Sequence, residues 1–191
     1  MGFLTGAENR TQVIVERWLP TNPNVRASAS LYLTEAERQG VSPSRRMLDV
    51  GTEPCPAHLA TELGVGAGDR VFARRKVMLA DGVPVRIATS YFPADLAEGS
   101  PLTAPDFVPG GLQEALEKMG YRFGGADERL TARMPTPYES ELLDLDAQTP
   151  VVQVVRSSYD GDINPVHTLE TICAASRHVF RVQQASGADV F

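Results

Sequence analysis

The stretch Val71 to Pro93 constrains this chain more than any other. It reads VFARRKVMLADGVPVRIATSYFP, two β-rich runs around Asp81-Gly82. Asp-Gly between such runs is a strong hairpin signal, because the turn needs positive φ, which Gly and Asp tolerate. Side chains alternate between the two faces of a strand. Val71, Ala73, Val77 and Leu79 therefore share one face, with Arg75 as its odd member, and Phe72, Arg74, Lys76 and Met78 share the other. On the return strand Val85, Ile87, Thr89 and Tyr91 oppose Arg86, Ala88, Ser90 and Phe92. The face carrying Lys76, Met78, Ala88 and Ser90 fits two descriptions. It is either a solvated face whose cationic stems cover apolar surface, or one wall of a ligand pocket.

Composition narrows the class. A chain of 191 residues with 42% hydrophobic content is long enough for one domain with a sizeable core. A net charge of −6 argues against a dedicated nucleic-acid surface, and the dense cationic cluster, Arg74-Arg75-Lys76, lies inside the hairpin. The cysteines, Cys55 and Cys173, have no CxxC spacing, which fits free thiols in a reducing cytoplasm. His58, His167 and His178 form no metal-ligand motif, so neither a metal nor a cofactor is expected. No apolar run reaches the length of a membrane span and no secretory signal opens the chain, so no membrane partner is expected.

Along the chain, Val13-Ile14-Val15 reads as a short strand and the prolines that follow interrupt it. Ser28 to Gln39 reads as a helix stopped by Gly40. Arg46 to Thr52 reads as a strand, and Ala57 to Leu63 as a short helix ended by Gly64. Ala94 to Ala97 makes a helical turn, and residues 99–109 a loop. Leu112, Ala115, Leu116 and Met119 recur at helical spacing in Gly111 to Met119, with Gly120 as the stop. Tyr121 to Met134 should be a strand. Thr136-Pro137 with Glu139 combines a capping box with Pro at the first helical position and starts a helix running to about Leu145. Val151 to Tyr159 and Val166 to Cys173 flank the turn Asp160-Gly161-Asp162 as a second hairpin, and Arg177 to Val182 extends the chain again. Antiparallel hairpins with short helices between them define an α+β fold. The expected organisation is an arm and connector helix over residues 1–44, a domain over 45–182 and a tail over 183–191.

Three segments, taken together, resemble the UTRA domain, the effector-binding half of HutC-type GntR-family transcription regulators. They are RRKVMLADGVPVRIATSYFP, TARMPTPYESELLDL and TPVVQVVRSSYDGDINPVHTLE, and the resemblance covers about residues 45–182 in the same order. It implies a chorismate-lyase-like fold, an antiparallel sheet with helices packed around a small-molecule pocket, and a homodimer. Residues 1–27 contain no helix-turn-helix pattern and no recognition helix. No direct nucleic-acid contact is expected of this chain alone, whether it is a piece of a regulator or a protein without a DNA-binding head.

The resemblance also places the pocket and shows where this chain departs from the family. Phosphosugar-reading members carry an Arg-x-Arg pair that matches Lys76 and Met78. A sugar-binding Glu matches Ala88, a second acidic position matches His167, a Ser and a Tyr near the amphipathic helix match Gly111 and Gln113, and a late Tyr matches Cys173. With Ser90 and Arg133 these form the expected ligand-binding set. A Lys and a Met cannot grip phosphate as paired guanidinium forks do, so the implied ligand is less polar and non-phosphorylated. A second reading is a stand-alone biosynthetic enzyme of cyclase, lyase or isomerase type, with His167, Glu170, Lys76 and Tyr91 as acid/base candidates. That reading rests on fold analogy.

Overall fold

The computed structural model describes residues 14–19 and 36–182. Its centre is a six-stranded sheet, antiparallel throughout: β2 (Pro43–Pro54), β3 (Arg70–Ala80), β4 (Val83–Pro93), β5 (Phe123–Arg133), β6 (Val151–Asp160) and β7 (Pro165–Ala174). The spatial order is β2-β3-β4-β7-β6-β5. The two hairpins thus join through their return strands, β4 against β7. A separate parallel ribbon pairs β1 (Val15–Leu19) with β8 (His178–Val182).

The central hairpin forms as its sequence dictates. Asp81 sits at φ 51 and Gly82 at φ 79, both left-handed, as a tight two-residue turn requires. Asp81 also accepts a hydrogen bond from the Ser42 backbone N–H at 2.8 Å, which ties the turn to the start of β2. Cross-strand partners share a face, so register carries the alternation across the sheet.

One face, here the inner face, carries Phe72 and Phe92 at one end, packed with Leu102, Val166 and the helix α3 (Leu112–Lys118) through Ala115 and Leu116. At its other end Met78 and Ala88 pack against Val15 of β1 and Ala36. The opposite, outer face is covered in two places. Leu59 and Leu63, from a 3-10 turn and the helix α1 (Ala60–Leu63), pack on Val71, Ala73, Tyr91 and Val155. Leu143 of α4 (Pro137–Leu143) packs on Ile87, Val151 and Ile172. The remaining helix, α2 (Ala94–Ala97), is a single turn after β4.

Several elements differ from their sequence-based bounds. β2 extends beyond Arg46 to Thr52 at both ends, because pairing with β3 holds residues whose own propensity is weak. The segment 99–109 contains a 3-10 turn, Pro101–Thr103, capped by Ser100. α4 stops at Leu143, since Asp144 adopts φ 48. β1 begins at Val15, with Ile14 outside it, and Ala175–Arg177 is a 3-10 turn before β8 begins at His178. Ala36 to Arg38 is helical and Gly40 at φ 72 ends that helix; its expected start near Ser28, and residues 183–191, lie outside the described residues. The capping box at Thr136 forms in full, with both Thr136 and Glu139 side chains engaged.

Candidate functional site

Register places the expected site residues. Lys76 pairs with Ala88, Ala88 with Thr171 and Thr171 with Val154, one row across four strands of the inner face. The adjacent row runs Arg74, Ser90, Leu169, Arg156 and Glu128, and the row beyond Lys76 runs Met78, Arg86, Cys173 and Val152. His167 stacks on Phe92 of the same face, with ring centroids 4.9 Å apart. Lys76, Met78, Ala88, Ser90, His167 and Cys173 therefore share one face. Gly111 is the N-cap of α3, at φ 89, and Gln113 in its first turn donates to Glu117 one helical turn later. Both belong to the helix that covers one end of that face.

Arg133 does not join them. It lies opposite Val151, on the outer face, where its guanidinium grips Glu139 at two distances of 2.7 Å and its Nε donates to Gln153. It ties β5 to the first turn of α4. The acid/base candidates divide in the same way: Lys76 and His167 are on the inner face, while Tyr91 and Glu170 are on the outer one.

The inner face is buried and strongly cationic. Lys76 is 8% exposed, Arg74 3%, Arg86 7% and Arg156 6%. The first strand adds Arg17 at 8%, and Arg45 reaches over the Phe107 ring at 4.0 Å. Arg74, Arg17 and Arg156 are held in place as follows. Arg74 donates to the backbone carbonyls of Leu102, Ala104 and Asp106 and so clamps the loop that leads to α3. Arg17 pairs with Glu128 at 2.9 Å, and Arg156 approaches the same carboxylate at 3.7 Å.

Lys76 has no acidic partner among the described residues. Burial, then Arg45, Arg86 and Arg74, push its ammonium down to about 8. His167 retains some exposed surface, but its Nε2 is sealed and takes no hydrogen bond. Burial, then Lys76 and Arg156, push the ring down to about 3, so it is neutral. The Arg156 Nε is likewise buried without a partner. Cys173 is fully buried, and burial pushes its thiol up. Chemically, this face carries positive charge, buried nitrogens without hydrogen-bond partners and an apolar wall of Met78, Ala88 and Leu169. The solvated-face description of the hairpin does not hold.

Arg17, Arg86, Arg156 and Glu128 were not among the expected site residues. Arg86 shares the face of Ala88 by simple alternation, and that signal was available. The other three come from strands whose neighbours only the fold reveals. No helix among the described residues is long and apolar enough to cross a membrane.

Comparison with known proteins agrees with this architecture. Residues 38–179 match the UTRA domain. The chain is 28% identical over 149 residues to the HTH-type transcriptional repressor PhnF of Mycolicibacterium smegmatis, covering 78% of this chain and 60% of that protein. It superposes on the crystal structure of the effector domain of PhnF from Mycobacterium smegmatis with a TM-score of 0.69 at 26% identity, covering 81% of this chain and 94% of that domain. The fold also matches the C-terminal domain of the histidine utilization repressor from Pseudomonas syringae, with a TM-score of 0.63 at 22% identity, covering 75% of this chain and 99% of that one. The chain spans 40% to 60% of the length of the first curated relatives it matches. It belongs to the UTRA family, the effector-domain family of GntR/HutC-type transcription regulators.

Proposed function

We propose that this domain is the sensor of a GntR/HutC-type regulator, and that its effector is a small carboxylate seated on the inner face of the sheet at Lys76. The observation that carries this reading is a buried ammonium, ringed by Arg45, Arg74 and Arg86, with no carboxylate of the described residues beside it. A buried charge without a partner is costly, and a bound anion supplies the missing charge. Lysine offers a single point charge, and Met78 occupies the position where phosphosugar-reading members carry a second arginine. A carboxylate with an apolar body suits that pair better than a phosphate. Met78, Ala88 and Leu169 would contact the apolar body, and the His167 Nε2, buried without a partner, would take one hydrogen bond.

The domain works as a homodimer in the cytoplasm, and the effector favours whichever arrangement of the two copies binds it better. In a full-length regulator that shift would reposition DNA-binding heads.

Thermal unfolding of the purified chain tests the reading. The probes are benzoate, 4-hydroxybenzoate, succinate and citrate, with glucose 6-phosphate and inorganic phosphate as the phosphorylated arm. A ligand that binds only the folded state raises the unfolding temperature. The expected result is a rise with at least one carboxylate that disappears in Lys76→Gln. An equal rise in Lys76→Gln, or a rise with the phosphorylated arm alone, would overturn it.

A further inference from the structure

The outer face of the sheet holds a cavity of about 440 Å³ that the proposed effector reading does not use. Glu170, Val155 and Arg129 line it from one cross-strand row on β7, β6 and β5. Adjacent strands lie about 4.8 Å apart, so the backbones of Glu170 and Arg129 are roughly 10 Å apart with Val155 between them.

Each end of this row is half satisfied. The Glu170 side chain is 12% exposed. Its Oε1 accepts from Gln153 Nε2 at 2.5 Å and lies 2.7 Å from His58 Nε2. Those contacts hold the carboxylate in one orientation. Its Oε2 takes no hydrogen bond from the described residues. At the other end Arg129 pairs through Nη1 with Glu62 at 2.5 Å, which leaves its Nε and Nη2 without a described partner. The neighbouring guanidinium, Arg133, is by contrast engaged by Glu139, Gln153 and the Met134 carbonyl. The cavity thus presents an open acceptor at its floor, an open cationic edge at its rim, and an apolar side chain between them.

We infer that this cavity is a second small-molecule site, selective for a zwitterion of the amino-acid class, with the ligand ammonium on Glu170 Oε2, its carboxylate on Arg129 and its side chain over Val155. A purely anionic ligand would meet the Glu170 carboxylate, and a purely cationic one would leave Arg129 unused. The site lies on the reverse of the sheet from Lys76, so either can exist without the other.

The experiment is titration of the full chain with each of the twenty proteinogenic L-amino acids, followed by calorimetry and by ¹H–¹⁵N chemical shifts. Removing one charge-assisted contact weakens binding about tenfold. The expected result is that at least one amino acid binds, that Arg129→Met and Glu170→Gln each weaken it about tenfold, and that Lys76→Gln leaves it unchanged. The matched amine lacking the carboxylate, and the matched acid lacking the amine, should each bind about tenfold more weakly. Arg129 is 55% exposed, so its substitution tests the site even where Glu170→Gln fails to fold. Absence of binding by the whole panel, or binding that survives Arg129→Met and falls with Lys76→Gln, would overturn the inference.

Discussion

Arg17 and Glu128 stand 111 positions apart in sequence and meet at 2.9 Å. The contact fastens the first strand across the inner face of the main sheet to its far edge strand, and Arg156 shares the same carboxylate. All three side chains are close to nine-tenths buried. Glu128 is the anion that makes this end of the cationic face tolerable. A second tie helps to place the strand, since the Gln39 carboxamide bonds both the N–H and the carbonyl of Glu16.

Removing that anion should be severe. Glu128→Ala removes the carboxylate that two buried guanidiniums share, and breaking such a pair costs about 3–5 kcal/mol. Urea unfolding at pH 7 measures it. A loss below about 1 kcal/mol, the range of an exposed ion pair, would show that the contact is a surface one. Glu128→Gln should fall between, since it keeps hydrogen bonding and loses charge.

Lys76 should make the unliganded domain less stable at neutral pH than at mildly alkaline pH. Its pKa is about 8 in the fold, against an ordinary 10.5. Between those values the unfolded chain holds a proton that the folded chain has released, so stability rises with pH across that window. Below pH 8 both states are protonated and the penalty is complete. The gap corresponds to about 3 kcal/mol as an order of magnitude. Tyr91, pushed up to about 12 mainly by burial and the nearby Glu170, acts in the opposite direction above pH 10. The clean measurement is therefore the difference between the native chain and Lys76→Met from pH 7 to pH 10. Lys76→Met should be the more stable at pH 7, with the difference shrinking toward pH 10. A constant difference would show that Lys76 is already paired.

The hairpin turn gives a test of local backbone physics. Gly82 has φ 79, and a Cβ there meets nothing within 4 Å. Gly82→Ala thus isolates the conformational penalty of the left-handed region, about 1–2 kcal/mol. Chemical denaturation should show that loss, with no change in the slope that reports exposed surface. A loss far above 2 kcal/mol would mean that the turn also controls the register of β3 and β4.

How far the sequence reaches can be judged residue by residue. Asp81-Gly82, the capping box at Thr136 and the glycine stop at Gly64 were all legible, because each depends on dihedrals and hydrogen bonds within a few positions. The alternation that groups Lys76 with Met78 and Ala88 with Ser90 was legible for the same reason, and register carries it intact across β3 and β4. The full length of β2 was not, because its residues are held by a partner strand rather than by their own preference.

The chain's own residues thus determined the hairpins, most helix ends and the two faces of each strand, since these follow from local sterics and a period of two. Only the tertiary structure decided which strands are neighbours. Placing β7 beside β4 brings His167 and Cys173 onto the face of Lys76, and laying β1 across that face brings Arg17 to Glu128. The same pairing turns Arg133 and Glu170 to the reverse side. Parity within a strand is local, but parity between strands is set by register over long sequence separations. Whether a cation is solvated or buried without a counter-charge follows from that register, and at Lys76 it makes a polar face of a hairpin into a candidate anion site.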